Sequence, residues 1–388
     1  MTELPIYLDT QASGRIAPEV RDAIYSYWME HNGNPHSSHE HGLRAKTAIS
    51  GAISTISEFV GCLPRELTLV SGATAANNLA IKGIEYLIEE GRSQILVSAI
   101  EHPCVLEAAQ FMASQRGFQV IVVPVDGAGF VDLRILEEHL NDQVALVSIM
   151  LGNNEIGTIQ DIPEISRLAH QVGALVHTDA TQACGRIPID VLDLDCDMLS
   201  LSAHKISGPI GIGGLFVRDG ITLMPLIHGG NQQALASGTM SPELAVGFAS
   251  ACKQAIAHLD TADHERQRDF ISRFEQGLND AGYKFEKNGP VDEDFRLPGT
   301  THLTFQNITL PDLQAWISPY VSFSSKSACA SENSDTSHVL SAIGLNEKDA
   351  ANSARFSVCG RTTDEEIDGA ILYFREYLTS IASRGAAE

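Results

Sequence analysis

Three short segments combine residue types able to bind and activate a small molecule. In Ser202-Ala203-His204-Lys205-Ile206-Ser207-Gly208-Pro209 a lysine follows an apolar run and precedes Gly211-Ile212-Gly213-Gly214. A lysine at the carboxyl end of a parallel strand stands where α/β sheets bind ligands, and an amine there can form a Schiff base with a carbonyl compound. Most lysines are solvated instead, so the hydroxyl, imidazole and glycine neighbours single this one out. In His177-Thr178-Asp179-Ala180-Thr181-Gln182 a carboxylate ends a second apolar run. It can keep a ring nitrogen protonated or cap a helix, and alone the residues favour neither. Ser71-Gly72-Ala73-Thr74 offers backbone N–H groups and hydroxyls where a helix begins, which suits a phosphate. An ordinary cap with a tight turn would use the same residues.

The seven cysteines (62, 104, 184, 196, 252, 329 and 359) are scattered and form no C-x-x-C pair. Neither a disulfide scaffold nor a zinc site is expected, and each cysteine is by default a small buried hydrophobe. Cys329 differs. It lies in Ser324-Ser325-Lys326-Ser327-Ala328-Cys329-Ala330-Ser331-Glu332-Asn333-Ser334-Asp335-Thr336-Ser337, which has few apolar residues and reads as an exposed, mobile loop. Lys326 nearby favours a thiolate electrostatically. Cys104, two residues beyond His102, and Cys184, two beyond Gln182, are assigned packing roles. His36, His39 and His41 read as a polar loop, and no metal site is expected.

Positioning these groups requires a sheet with helices between its strands. Strands are expected at Leu67–Val70, Ile95–Ser98, Val120–Val123, Ala145–Met150, Ala174–His177, Met198–Ser202 and Leu215–Val217. Helical patterns such as Pro163–Val172 separate several of them, the spacing of βαβ units and a mostly parallel sheet. Ala76, Leu79, Ala80, Gly83, Ile84, Leu87 and Ile88 recur at helical spacing and predict one helix from Gly72 to Gly91. Glu243–Ala281 reads as one long charged helix leading into a smaller α+β unit, with strands near His302–Phe305 and Arg355–Val358 and a closing helix over Asp364–Ser380. The expected division is a large domain over residues 15–255 and a small one from 1–14 and 256–388, carrying the Cys329 loop.

Among 388 residues, 49 acidic against 26 basic side chains give a formal charge of −23. That excess repels phosphate backbones and anionic lipid, so no direct nucleic-acid or membrane binding is expected. No apolar run approaches the ~20 residues a bilayer span needs, and the N-terminus lacks a signal-peptide pattern, so the reading is soluble and cytoplasmic.

In this order the segments resemble the group I cysteine desulfurases, the NifS/IscS family within the class V aminotransferase group of fold-type I pyridoxal 5′-phosphate enzymes. The matching pieces include Tyr7-Leu8-Asp9, Gly33-Asn34-Pro35, Ser71-Gly72-Ala73-Thr74, Glu101-His102, Asn153-Asn154-Glu155-Ile156-Gly157, Asp179-Ala180-Thr181-Gln182, His204-Lys205, His228-Gly229-Gly230, Ser237-Gly238-Thr239, Ser327-Ala328-Cys329 and Arg355-Phe356-Ser357. The resemblance implies an α/β fold with a mostly parallel seven-stranded sheet and a smaller α+β domain. It implies that Lys205 holds pyridoxal 5′-phosphate covalently, Asp179 meets its ring nitrogen, Gln182 its phenolic oxygen, and His102 stacks on the ring and handles protons. Ala73, Thr74, Ser202 and His204 would surround the phosphate, with Thr239 reaching it from the partner subunit of a homodimer. Asn154 would contact cofactor and substrate, Arg355 would bind the L-cysteine carboxylate, and Cys329 would be the nucleophile. The implied reaction converts L-cysteine to L-alanine, leaves a persulfide on Cys329, and passes its sulfur to an acceptor protein in an iron–sulfur, tRNA-thiolation or DNA-phosphorothioation pathway.

The chain departs from the family pattern in places. Lys326 replaces a glycine, Asn231-Gln232-Gln233-Ala234-Leu235-Ala236 is uncharged where basic residues are usual, Gln11-Ala12-Ser13-Gly14-Arg15 replaces a threonine-rich turn, and Ala203 replaces a glycine. These changes point to a specialised desulfurase. The alternatives are selenocysteine lyase or aminotransferase activity on the same cofactor and, from a different class, an inactive assembly module.

Overall fold

The computed structural model describes residues 4–230, 232–259, 261–325 and 337–385. The chain opens with strand β1 (Ile6–Tyr7) and helices α1 (Pro18–Glu30) and α2 (Glu40–Val60). A seven-stranded sheet follows, built from β2 (Leu67–Val70), β3 (Gln94–Ser98), β4 (Gln119–Val123), β5 (Val144–Ser148), β6 (Leu175–Asp179), β7 (Met198–Ser202) and β8 (Gly213–Val217). Its order is β2-β8-β7-β6-β5-β3-β4, with β4, β3, β5, β6 and β7 parallel and β8 antiparallel to both neighbours. Each strand overlaps its sequence-based expectation, and the sheet is mostly parallel as expected.

Helices α3 (Ala73–Lys82), α4 (Pro103–Arg116), α5 (Leu133–His139) and α6 (Ile162–Gln171) lie between strands. Because successive strand residues face opposite ways, the sheet feeds two cores. Leu96, Leu199 and Leu201 pack with Ile49, Ile56 and Phe248 on one face. Ile95, Val97 and Met198 pack with Leu79, Ile84 and Met112 on the other.

Beyond the sheet run α7 (Pro242–Leu259), α8 (Asp263–Ala281), β9 (Phe285–Lys287), β10 (Thr300–Phe305), α9 (Leu310–Ile317), β11 (Val321–Ser322), α10 (His338–Ala342), α11 (Glu347–Ala351), β12 (Ser353–Ser357) and α12 (Asp364–Gly385). β9, β10 and β12 form an antiparallel sheet, and β11 pairs with β1, so the amino terminus is tied to this part of the molecule. Its core is aromatic: Phe274, Phe356 and Phe374 stack on one another beside Leu8. Among the described residues no helix is long and apolar enough to cross a membrane.

Two helix expectations need correction. The helix after Gly72 ends at Lys82 rather than Gly91, and a separate short turn covers Glu85–Ile88. Its break is at Gly83, whose carbonyl accepts the N–H of Met224 at 2.8 Å, while a Cβ there would come within 3.0 Å of Leu223. Both stretches bury the same face, so apolar periodicity alone cannot see the interruption. The Glu243–Ala281 pattern is two helices, α7 and α8, with His258 Nδ1 and Asp263 Oδ2 2.6 Å apart across the junction.

Candidate active site

The carboxyl ends of β6 and β7, the amino terminus of α3 and the loop after β1 converge on a cavity of about 290 Å³. This is the end of a parallel sheet at which ligands bind, and the volume lies near the lower end for small-molecule sites. Ala73, Thr74, His102, Asn154, Asp179, Gln182, Ser202, His204, Lys205 and Arg355 all line it. Thr239 does not. It lines an adjoining cavity of about 430 Å³ that shares Ser71, Ala75 and Gly211 with the first. Cys329 and Lys326 lie outside the described residues.

Asp179 ends β6 and is almost wholly buried, yet its carboxylate is well provided with donors. Thr181 N–H donates to Oδ1 at 2.9 Å and Asn77 Nδ2 to Oδ2 at 2.6 Å. These bonds give both carboxylate oxygens a donor in a buried site. Two residues earlier His177 lies between Ser148 and Ser200, its ring nitrogens 2.8 and 3.0 Å from their hydroxyls. Burial pushes its pKa down to about 4, so the imidazole under Asp179 is neutral.

Lys205 follows β7 in a single tight turn, Ala203–Ile206. Its Nζ donates to Gln11 O at 2.6 Å and Ala12 O at 2.8 Å. Those carbonyls are held in place from several sides. Gln11 N–H donates to Ser357 Oγ, Thr300 Oγ1 donates to Gln11 Oε1, and Gln182 Nε2 donates to Gln11 O at 3.2 Å. The unusual turn at Gln11 is therefore a wall of the site, which motif comparison alone had marked only as a departure.

The anion cradle is set by Gly72, whose φ of 145° is a conformation essentially confined to glycine. It supplies no capping side chain, so the first N–H groups of α3, at Ala73 and Thr74, remain for a ligand. Across the cradle Ser202 Oγ and His204 Nδ1 are 2.8 Å apart. Burial, reinforced by Lys205, lowers the His204 pKa to about 4 and keeps that ring neutral.

His102 caps the amino terminus of α4, where its Nδ1 accepts the Cys104 N–H at 3.2 Å. Burial holds its pKa below the usual value; Asp179 works against this, and Lys205 and His338 with it. Cys104 lines the cavity with its Sγ 3.0 Å from His102 Nδ1 and 3.2 Å from Asn77 Nδ2. Cys104 packs against the second core as expected and also faces the cavity. Cys184 is buried in the main core as expected.

Arg355 enters from β12 with 4% of its side chain exposed. Its guanidinium donates to Asn154 O and Asp9 Oδ1, each at 2.6 Å, and to Ser324 Oγ at 3.2 Å. Its Nε is buried with no partner among the described residues. Asp9 and Ser324 were not among the residues expected at the site. Beyond the gap in the description, Ser337 Oγ donates to Glu155 Oε2 at 2.7 Å and His338 Nε2 lies 2.8 Å from Glu101 O, next to His102. Ser324 on one flank of the Cys329 segment is thus bonded to Arg355, and Ser337 and His338 on the other to the chain neighbours of Asn154 and His102.

The family model for class-V aminotransferases matches residues 6–369. The cysteine desulfurase IscS of Rickettsia bellii is 37% identical over 372 residues, covering 95% of this chain and 90% of that protein. A NifS-like protein of known structure superposes with a TM-score of 0.89 at 33% identity, over 97% of this chain and 100% of that one. The structure of SspA in complex with cysteine superposes with a TM-score of 0.81 at 34% identity, over 92% and 99%.

Proposed function

The chain belongs to the class-V aminotransferase family, as a cysteine desulfurase that uses pyridoxal 5′-phosphate, and from that premise we propose the part each residue of the cavity plays. The donor set suits the cofactor. Asp179 is a buried acceptor for a protonated ring nitrogen, Gly72 opens a cradle for a phosphate, and Lys205 offers an amine between them. Thr181, which lines the cavity, has a buried Oγ1 without a partner among the described residues, as expected of a cavity built to be filled. Ala73, Thr74, Ser202 and His204 would hold the phosphate, Gln182 the phenolic oxygen and Lys205 the aldehyde carbon, with Thr239 belonging to the phosphate site of a second copy in a homodimer. When bound, the cofactor supplies an electron sink that stabilises negative charge on the substrate α-carbon.

The chain's own residues do the rest. Arg355 orients the L-cysteine carboxylate through Nε, while Asp9 and Asn154 O fix the plane of its guanidinium. Lys205 Nζ moves the proton at the α-carbon. His102, neutral at pH 7, exchanges a proton at a ring nitrogen. The Cys329 thiolate attacks the substrate sulfur: a new S–S bond forms as the C–S bond breaks, and the carbon fragment takes up a proton and leaves as alanine. The sulfur is then passed to a thiol of an acceptor protein.

The convergence of Lys205, Asp179, His102 and Arg355 on one cavity carries this reading. Its test is borohydride reduction of the cofactor-loaded protein followed by peptide mapping. The label is expected on Lys205 and absent from Lys205→Ala; a label on another lysine would refute the assignment.

A further inference from the structure

His102 has a hydrogen-bonding problem that the structure solves in one way. Its Nδ1 accepts the backbone N–H of Cys104 at 3.2 Å, so this nitrogen carries no hydrogen of its own. With Nδ1 as an acceptor, the Cys104 sulfur 3.0 Å from it is placed to donate, sharing that nitrogen's one lone pair with the backbone N–H, while the Thr74 side chain is a further partner of the sulfur. The sulfur also accepts from Asn77 Nδ2 at 3.2 Å, and Asn77 Nδ2 donates to Asp179 Oδ2 at 2.6 Å. A continuous chain of hydrogen bonds links His102 through Cys104 and Asn77 to Asp179, with Asn77 donating at both of its contacts.

We propose that Cys104 is a positioning residue: its thiol donates to His102 Nδ1, fixes the imidazole as the Nε2–H tautomer, and ties its orientation to Asp179 through Asn77. The thiol must remain protonated to do this. Burial, reinforced by the Asp179 charge, pushes its pKa up to about 12, so it donates throughout the neutral range and is a poor nucleophile. The sulfur-carrying role thus stays with Cys329 although Cys104 lines the same cavity. Two donors on Nδ1 also oppose protonation of that atom. Lys205 and His338 facing the ring act in the same sense and Asp179 acts against it; all three remain in a Cys104 variant.

The inference rests on His102 working at the cofactor face, but its test does not depend on turnover. Nitrogen-15 histidine spectra of the cofactor-loaded protein report tautomer and titration midpoint, with His102→Gln assigning the signal. Cys104→Ala should raise the midpoint by about half to one pH unit, the size of one neutral hydrogen bond, and let the Nδ1–H form appear. Cys104→Ser, whose hydroxyl can donate and accept in the same way, should restore the wild-type tautomer. Unchanged midpoint and tautomer in Cys104→Ala would overturn the proposal, as would a serine variant indistinguishable from alanine. Failure of the broader reading looks different: His102→Gln would keep full desulfurase activity.

Discussion

At the scale of single residues the site is a set of charged groups whose partners decide what they can do. Arg355 is the clearest case, because its guanidinium is nearly buried and each bond to it has a direction. Lysine keeps the charge but not the planar fork, so Arg355→Lys should raise KM for L-cysteine by at least about tenfold, the worth of one charge-assisted bond, with a smaller loss in kcat. Steady-state kinetics checks this, and an unchanged KM would remove Arg355 from substrate binding. Much at this scale was legible: the neighbours of Lys205 singled it out, and the family resemblance added Asp179, His102 and Arg355. Asn77 was not picked out, and Asp9 came only as part of a matching motif without a role. Their roles come from distances between atoms far apart in sequence, such as Asn77 to Asp179, and no local pattern encodes them.

Elements hold these residues by close backbone approach. Gly213 on β8 passes beneath the Gly72 turn, where a Cβ would lie 2.5 Å from Leu201 O and 2.8 Å from Gly72 Cα. Both neighbours are backbone in or beside the sheet, so neither can yield cheaply. Gly213→Ala should destabilise the protein by about 1–3 kcal/mol and also weaken cofactor retention by displacing the cradle. Thermal melts and equilibrium dialysis against pyridoxal 5′-phosphate check the two effects, and a stability loss with full affinity would separate Gly213 from the cradle. The uncharged Asn231–Ala236 segment has a use at this scale. Gln233 exchanges both amide hydrogen bonds with the backbone of Leu69, at 2.8 and 2.9 Å, and so pairs with the outer strand of the large sheet. The large sheet could be read from the sequence because its strands are continuous apolar runs. The breaks at Gly83 and between α7 and α8 could not, because the buried face continues through the first and helix-forming residues run up to both sides of the second.

For the molecule as a whole, buried titrating groups set the pH at which the fold is strongest. His177 and His302 have folded pKa values lowered by burial to about 4 and about 3, so on acidification below 6.5 the unfolded chain takes up protons the native state refuses. Stability therefore falls from pH 6.5 towards 4. Burial raises Glu101 from 4.5 to about 8, so from pH 4.5 upward the native state holds a proton the unfolded chain has released; above 6.5 His170, raised by Asp197 and Asp195, adds a second while the two buried histidines no longer offset them, and stability falls towards pH 8. Tm should peak between about pH 6 and 7, where the two slopes meet; a Tm rising steadily to pH 8 would contradict these assignments. The net charge of −23 fits delivery of sulfur to a protein acceptor rather than to nucleic acid. Where the sulfur first comes to rest is the centre of the account. The direct measurement is incubation of the loaded enzyme with L-cysteine, quantifying alanine and locating the added sulfur by peptide mass spectrometry. The account predicts one extra sulfur on Cys329 and none on Cys104, with alanine production lost in Cys329→Ser while the cofactor's visible absorption remains. Sulfur on Cys104, or undiminished alanine from Cys329→Ser, would contradict it.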